Sequence, residues 1–324
     1  LNFAVTNFKF MYLLLMLLYF IPHSVNSDGL IQNLPKKVEI SIHSDKAYKI
    51  LTYNVWGLPV FLPGHEDDLR FPSMADSIMK RQPDILCLQE VFSVYFRSQN
   101  LEKFKNQYHY GSDYNCSQSI IPFVYKDCHG GLATFSVFPI EEEKFYEYPV
   151  FPGMRWEEKI GAKGFLLTKI DLPSGKIWVV NTHLYSGPSR NDEAIRLSQI
   201  KYMMEVLEGL DLQLPIVMAG DFNIAHPGLS NNKMKFPNDV YSMLQSCWHF
   251  NDAVQHYSKA QQWYTIHPES NKYCNSSEGN QKLDYIFFKN QGKKCINILH
   301  NAVEMKGVAT LSDHHAFASV FNLE

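Results

Sequence analysis

The sequence predicts a layered α/β protein whose strand ends line one cleft. Short segments rich in β-branched, aromatic and other apolar residues recur along the chain, with helical or loop segments between them. Polar and ionisable residues stand at the ends of several of these strands, and scattered core polar residues would not repeat in this way. The 324 residues, 45% of them hydrophobic, can bury a large core, and length alone allows one or two domains.

The first half of the chain supplies two predicted strands and one helix. Residues 49–55 and 85–91 have the composition of strands, and each has a polar residue near its end. Residues 72–82 between them fit a helix that ends at a Pro-Asp step. We interpret residues 92–160 as loop-rich and aromatic.

The second half alternates strands with one long helix. A helix over residues 189–207 is predicted because Ser189 is a suitable N-cap, with Asp192 three residues later. Apolar segments predict further strands at residues 165–170, 176–183, 215–219, 283–288 and 316–323.

The polar residues at the strand ends indicate phosphate-ester chemistry. Carboxylate and amide oxygens suit Mg²⁺, and the candidates here are Asn54, Glu90, Asp221, Asn223 and Asp313. His183 and His314 add acid–base capacity near neutral pH. No Cys/His cluster at zinc spacing, Gly-rich phosphate loop or Gly-x-Ser-x-Gly motif is present. The residues therefore predict metal-assisted hydrolysis by water, with His314 taking the water's proton and a carboxylate holding its ring.

Glu90 is the strongest single metal-ligand candidate. It lies in an apolar run, and a buried carboxylate must be paired or bind a cation. The alternative to a metal is an ion pair with a basic residue such as Arg97.

The first residues have the pattern of a secretory signal peptide. Lys9 precedes an apolar run at residues 11–21, and small and polar residues follow up to residue 27. The run is too short to span a bilayer of roughly 30 Å as a helix. We expect a signal peptide at residues 1–27 and a single catalytic domain at residues 28–324, the alternative being that the apolar run is a buried helix.

Charge and cysteine content narrow the possible functions. The net charge is −3, and it becomes −4 without residues 1–27, so the chain lacks the basic surface of a strong nucleic-acid binder. Six cysteines in a secreted chain permit disulfides. Cys116–Cys128 is the favoured pair, Cys274–Cys295 is the next, and Cys87 is expected to be buried. Asn115 and Asn275 match the glycosylation sequon.

Six short motifs in order resemble the endonuclease/exonuclease/phosphatase superfamily. They are TYNVWG, LQEV, NTHL, GDFN, LDYIF and SDHH, and they span about residues 49–320. Within that superfamily the chain is most similar to secreted bacterial and animal neutral sphingomyelinases, from NVWGLP and the Lys163-Gly164 step. The resemblance implies a DNase I-like four-layered α/β sandwich, in which two mixed sheets are flanked by helices.

The resemblance also implies roles for individual residues. A divalent metal, Mg²⁺ or another such cation, would be held chiefly by Glu90, with Asn54 beside it and Asp313 nearby. His314 would be the general base, oriented by Asp284 or Asp313. His183 and Asn223 would polarise the phosphate, and Lys163 would contact one of its oxygens. Asp221 would support the nucleophilic water or a second metal.

The implied function is hydrolysis of sphingomyelin to ceramide and phosphocholine by a secreted monomer. Loops 56–63 and 145–156 are apolar and aromatic and could lie on a membrane surface, although both could instead cover the protein's own core. A secreted nuclease or a phosphoinositide phosphatase on the same scaffold is the alternative, and the scattered basic residues argue against nucleic acid as a partner. A catalytically inactive binding module is the third possibility.

Overall fold

The structure is a computed structural model, and it describes residues 47–58, 66–112, 117–121, 124–127, 129–209, 213–224, 226, 229, 239–254, 263–277 and 279–324. The expected signal peptide and most of loop 56–63 lie outside this part of the chain. No helix within it is both long and apolar enough to cross a membrane.

Strands and helices alternate along the described chain. The helices are α1 (Asp67–Met79), α2 (Val94–Gln107), α3 (Trp156–Ile160), α4 (Arg190–Glu208) and α5 (Asp239–Ser246). The strands are β1 (Tyr48–Gly57), β2 (Ile85–Val91), β3 (Tyr110–Gly111), β4 (Ser117–Ile121), β5 (Val124–Asp127), β6 (Ala133–Ser136), β7 (Ile140–Glu147), β8 (Gly164–Leu172), β9 (Gly175–His183), β10 (Ile216–Asp221), β11 (Asn251–Asp252), β12 (Asp284–Lys289), β13 (Ile296–Glu304) and β14 (Ala316–Leu323).

The strands form two mixed six-stranded sheets and a small hairpin. The first sheet has the order β13-β14-β1-β2-β6-β3, with β1 parallel to β2 and antiparallel to β14. The second has the order β11-β12-β10-β9-β8-β7, with β10 parallel to β9 and antiparallel to β12. The pair β4-β5 stands apart as a two-stranded sheet. Helices pack on the outer faces of both sheets, which confirms the predicted DNase I-like four-layered α/β sandwich.

Three apolar layers hold the sandwich together. Ile50, Ile85 and Val179 belong to the layer between the sheets. On the outer side of the first sheet, Leu51 and Leu86 pack with side chains of α1 and α2. A corresponding layer joins the second sheet to α4 and α5. Because strand side chains alternate between faces, neighbouring residues of one strand serve different layers.

The inward-facing positions of the central strands change character along each strand. The first position of each series has an apolar side chain in the layer between the sheets, and the next has an amide or a hydroxyl. The last, at one end of the sandwich, has a polar or ionisable side chain. The series are Ile50, Thr52 and Asn54 on β1, and Val179, Asn181 and His183 on β9. This period-two gradient places the candidate site at one end of the inter-sheet core.

The helix predictions need two corrections. Helix α1 begins at Asp67 rather than residue 72 and ends at Met79 rather than residue 82, with Pro72 inside it. A proline near the first turn removes one helical hydrogen bond without ending the helix. The description of residues 92–160 as loop-rich was wrong, because α2 and strands β6 and β7 lie there. Ser93 caps α2 by accepting from the Phe96 backbone N–H at 3.2 Å, a signal that the sequence contained.

The other predicted elements agree with the structure within a few residues. The strands at residues 85–91 and 316–323 are confirmed with the same bounds. The helix at 189–207 is α4, where Ser189 and Asp192 form a capping box.

One disulfide prediction is wrong. Cys274 and Cys295 are both free, as is Cys87, which is buried as expected. The thiol of Cys274 instead donates to the Asp313 carbonyl at 2.8 Å, so it supports a loop of the candidate site. Cys116, Cys128 and Asn115 lie outside the described side chains, and the Asn275 sequon is exposed.

Candidate active site

The two sheets bring all nine predicted site residues to the same end of the sandwich. The first sheet and its loops supply Asn54, Glu90, Asp313 and His314. The second sheet and its loops supply Lys163, His183, Asp221, Asn223 and Asp284. Seven of the nine are buried, and Glu90 and Asp313 are partly buried, so the contacts among them form within a confined cleft.

Asp221 lies at the centre of the site. Its Oδ2 accepts a hydrogen bond from Asn54 Nδ2 at 3.1 Å and lies 3.4 Å from His183 Nε2 and 3.7 Å from His314 Nε2. Its Oδ1 accepts from the Asn223 backbone N–H at 3.0 Å. The Asp221 carboxylate therefore lies close to both histidines, and it links the second sheet to Asn54 and His314 of the first.

Three strand ends at the site have left-handed backbones at residues other than glycine. They are Trp56 (φ 51°), Glu90 (φ 58°) and Asn223 (φ 52°). Such a conformation costs roughly 1–2 kcal/mol and is concentrated at functional sites. For Glu90 the consequence is visible, because Gln89 faces the opposite sheet and a regular strand would turn the next side chain away. The turn at Glu90 lets both consecutive side chains reach the cleft.

His314 is oriented by Asp284. Its Nδ1 lies 2.7 Å from Asp284 Oδ2, whereas Asp313 Oδ1 accepts from the Ser312 hydroxyl at 3.1 Å. Burial opposes the charged ring, but the carboxylates of Asp284, Asp221 and Asp313 outweigh it and raise the pKa of His314 well above its usual value. Of the two carboxylates that the sequence left open, the geometry selects Asp284, and the ring keeps Nε2 turned toward the cleft.

The buried carboxylates repel one another. Burial first and neighbouring carboxylates second raise the pKa of Asp221 and of Asp313 each to about 6, although His314 opposes the shift. Burial raises the pKa of Glu90 as well, against the hydrogen bond from Asn54. Two carboxylate oxygens, Glu90 Oε2 and Asp284 Oδ1, are buried with no hydrogen-bond partner among the described residues. A bound divalent cation would balance such an oxygen-rich cluster.

This donor set fits a hard divalent cation. Asp221, Asp284 and His314 each offer a ligand atom within 4.8 Å of the others, and the unpartnered Glu90 oxygen adds a fourth candidate. A cation there would offset the repulsion and weaken the carboxylates' hold on the His314 proton. Asn54 turns Nδ2 toward Glu90 and Asp221, while its Oδ1 accepts from the Trp56 N–H at 3.0 Å, so it orients the carboxylates. The ligand set of Glu90, Asn54 and Asp313 remains a prediction.

The second sheet contributes neutral and basic groups on the other side of Asp221. Burial first, and then the charges of Lys163 and His314, lower the pKa of His183 well below its usual value. Lys163 Nζ pairs with Glu158 Oε2 at 2.9 Å, and it donates to the Leu184 carbonyl at 3.0 Å. Asn223 Nδ2 donates to the same carbonyl at 3.1 Å. An imidazole, an amide and an ammonium group thus lie together around the Leu184 carbonyl and Asp221.

Sequence reasoning missed several residues that shape the site. Glu158 holds Lys163, and the Ser312 hydroxyl donates to the Asn54 carbonyl at 2.7 Å, joining two segments 258 residues apart. Arg70 is completely buried and donates to the carbonyls of Trp56 at 3.0 Å and Leu311 at 2.8 Å. The motif SDHH contained the serine, but no local pattern reveals a partner so distant in sequence.

The fold and this cluster of carboxylates and imidazoles define a member of the Endonuclease/Exonuclease/phosphatase family. The family's sequence model matches residues 51–314, so the chain belongs to it and the predicted resemblance is confirmed. Two relatives narrow the comparison. The inositol phosphosphingolipids phospholipase C of Schizosaccharomyces pombe is 28% identical over 67% of this chain. Sphingomyelinase C 2 of Leptospira interrogans is 25% identical over 65%.

The chain is shorter than these relatives, spanning 50% of the first and 34% of the second. Among solved structures, a double mutant of beta toxin from Staphylococcus aureus with bound magnesium ions superposes with a TM-score of 0.62 at 21% identity. That match covers 85% of this chain and 99% of the toxin chain. At this identity the superposition shows a shared fold.

Proposed function

We propose that this protein is a secreted, divalent-metal-dependent phosphodiesterase that hydrolyses sphingomyelin to ceramide and phosphocholine. The observation that carries the proposal is the His314–Asp284 pair at 2.7 Å beside a buried carboxylate cluster. A base next to a cation site is what hydrolysis of a phosphodiester by water requires. The similarity to two enzymes named for sphingolipid cleavage supports the lipid substrate.

In the proposed reaction His314 moves the proton. Its Nε2 accepts a proton from the water that attacks phosphorus, while the Nδ1–H donated to Asp284 keeps the ring in place. The new bond joins the water oxygen to phosphorus, and the bond to the ceramide oxygen breaks. That oxygen leaves with the electron pair and takes a proton from solvent.

The other residues bind and orient the phosphate. We assign Glu90, with Asn54 and Asp313, to a Mg²⁺ ion, which when bound would neutralise charge on the phosphoryl oxygens. His183 and Asn223 donate hydrogen bonds to those oxygens, and Lys163 adds a positive charge. Asp221 is close enough to His183 and His314 to orient both rings.

Exposed apolar side chains near the site support contact with a membrane. Trp156 and Val150 in the 145–156 segment are 56% and 62% exposed. Leu69 and Val94 stand at the starts of α1 and α2, which follow the site ends of β1 and β2, and are 64% and 69% exposed. Apolar groups around a cleft allow a protein to rest on a lipid surface. Tyr148 and Met154 in the same segment are buried, so only part of it is available for lipid.

A second candidate is the same cleavage of a sphingolipid with an inositol phosphate head group. The similarity to the S. pombe phospholipase favours it. Site and reaction would be unchanged, because head-group choice depends on the loops around the phosphate.

A parallel release assay tests these alternatives. Vesicles of sphingomyelin, phosphatidylcholine or inositol phosphoceramide, micelles of a phosphoinositide and plasmid DNA are each incubated with the protein, Mg²⁺ or EDTA. We expect Mg²⁺-dependent release of phosphocholine from sphingomyelin and little activity on the other substrates. Release of inositol phosphate would favour the second candidate, phosphate release from the phosphoinositide would favour a phosphatase, and DNA cleavage would favour a nuclease.

Secretion and oligomeric state are part of the same proposal. The apolar run at residues 11–21 supports export. Expression in a secreting host should give a protein in the medium whose first residue lies near Asp28, and gel filtration should give the mass of a monomer. A product that stays in the cells would contradict export.

A further inference from the structure

A small polar layer lies between the two sheets directly beneath the site. It consists of Thr52, Gln89 and Asn181, all with no exposed surface. Gln89 Nε2 donates to Thr52 Oγ1 at 3.0 Å within the first sheet and to Asn181 Oδ1 at 2.7 Å across to the second sheet. The layer therefore joins the sheets through directional bonds.

Asn181 adds further bonds across the same gap. Its Nδ2 donates to the Leu88 carbonyl at 3.1 Å and to the Ala133 carbonyl at 2.9 Å. These acceptors belong to β2 and β6 of the first sheet. One side chain from the second sheet is thus fixed against two strands of the first.

Each member of the layer stands one or two positions before a residue of the candidate site. Thr52 precedes Asn54 by two positions on the same strand face, and Asn181 precedes His183 in the same way. Gln89 is the direct neighbour of Glu90. A strand rises about 3.3 Å per residue, so the layer lies within about 7 Å of these groups along the strands.

Several contacts of the site depend on the separation of the sheets. The bond from Asn54 to Asp221 (3.1 Å) joins the sheets, as does the approach of Glu90 to His183 (4.0 Å). Apolar burial is non-directional, whereas hydrogen bonds weaken steeply with distance and angle.

Stability alone does not require this layer. The positions lie next to the apolar inter-sheet core, and replacing both partners of a buried hydrogen bond with apolar groups of similar shape is often close to neutral. We propose that Thr52, Gln89 and Asn181 are positioning residues that set the spacing of the two sheets and thereby place Glu90 and Asn54 against His183 and Asp221. This inference rests on the proposed function for its activity readout.

A pair of matched substitutions tests the layer. Thr52→Val and Thr168→Val both remove one hydroxyl from a completely buried threonine at nearly constant volume. Thr168 Oγ1 donates to the Val179 carbonyl at 3.2 Å, within the second sheet and away from the site end. We expect both variants to lower Tm, with kcat reduced severalfold in Thr52→Val and unchanged in Thr168→Val. Equal kcat in the two variants would overturn the proposal.

A double substitution gives the larger effect. Gln89→Met with Asn181→Leu replaces both partners with apolar groups of similar shape, whereas each single change leaves its partner unsatisfied and should lower Tm more. A displacement of about 1 Å at an active site can reduce turnover about a hundredfold. We therefore expect the folded double variant to lose about a hundredfold in kcat with KM within about threefold of the wild type. Wild-type kcat in that variant would refute the positioning role.

Mg²⁺ titration calorimetry provides a readout without substrate. The double variant should bind Mg²⁺ about tenfold more weakly than the wild type, because the carboxylates of the two sheets no longer align. If the wild type cleaves no phosphodiester, the proposed function fails and calorimetry still tests the layer. If the wild type is active and both readouts are unchanged in the double variant, the inference fails alone.

Discussion

The two halves of the sandwich stabilise their site loops with the same device. Each has a helix on its outer face, α1 in the first half and α4 in the second, that carries a completely buried arginine. Arg70 pairs with Asp67 at 2.5 Å and Arg196 pairs with Glu193 at 2.9 Å, both three residues earlier. Each guanidinium also donates to backbone carbonyls of the loops that carry site residues.

The two arginines differ in what they hold together. Arg196 donates to the carbonyls of Tyr185 and Gly187, which belong to one loop after His183. Arg70 donates to the Trp56 carbonyl near the end of β1 and to the Leu311 carbonyl, 241 residues from Arg70, just before the segment with His314. In the first half, Arg70 therefore joins distant segments of the chain, as the bond from Ser312 to the Asn54 carbonyl also does. In the second half, His183, Asp221 and Asp284 are placed at strand ends by the sheet itself.

The largest expected effects come from substitutions in the His314–Asp284 pair. This pair joins the proposed base of the first half to the carboxylate of the second half that orients it. His314→Gln removes the proposed base, and we expect kcat to fall about a thousandfold. Asp284→Asn leaves the base but loses the charged acceptor 2.7 Å from Nδ1, and about a hundredfold loss is expected. Both should keep a wild-type circular dichroism spectrum. An Asp284→Asn variant with full activity would show that another group orients the ring.

Conservative changes of the two arginines measure the difference between the halves directly. Arg70→Lys and Arg196→Lys keep the charge but lose the planar fork, and each should cost about 2–4 kcal/mol of unfolding free energy. Because Arg70 joins two segments and Arg196 holds one, kcat should fall about tenfold in Arg70→Lys and by less than about threefold in Arg196→Lys. Urea unfolding and steady-state kinetics on the same samples provide both values. A larger kcat loss for Arg196→Lys would mean that the site depends more on the arginine contacts of the second half than on those of the first.

The two halves can also be compared by how much an exposed apolar side chain of each contributes to vesicle binding. Trp156→Ser in the second half and Leu69→Ser in the first each remove an exposed apolar side chain near the site. Burying each side chain in lipid contributes about 1.5–3 kcal/mol, so vesicle affinity should fall about tenfold or more, while turnover of a soluble phosphodiester stays unchanged. Leu299→Ser, on β13 and 56% exposed, is the control. Unchanged vesicle binding in both site variants would argue against a lipid-facing rim.

Structural features that depend only on residues close together in the chain could be predicted from the sequence. Short apolar runs identified β2 and β14 with the observed bounds, because such a run is contained within a single strand. The position of polar residues at the ends or entrances of such runs also pointed to the nine candidate site residues, whose roles remain predictions. The helix α2 was missed because its polar face and the aromatic residues around it hid the spacing of Phe96 and Phe104.

Tertiary partners could not be predicted. Nothing local distinguishes Asp284 from Asp313 as the partner of His314, because the choice depends on where β12 runs relative to β14. The bond from Arg70 to the Leu311 carbonyl joins residues 241 positions apart, and the bond from Gln89 to Asn181 joins residues 92 positions apart. The predicted Cys274–Cys295 disulfide likewise failed because it depends on tertiary placement, and the Cys274 thiol donates to the Asp313 carbonyl instead.

The smallest expected effect concerns acid stability of the second half. Burial, with a smaller contribution from the charge on Lys282, lowers the pKa of His226 to about 4, and the ring packs edge-on against Tyr241 at 4.9 Å. The folded pKa lies below the unfolded value near 6.5, so the unfolded chain takes up the proton first and stability is lost as pH falls from about 6.5 toward 4. The ring is partly exposed, so we discount this loss to about 1 kcal/mol. His226→Gln cannot titrate, and its urea midpoint should fall less than that of the wild type between pH 7 and pH 4.5. Parallel pH profiles for the two proteins would show that His226 is not the source of the lost acid stability.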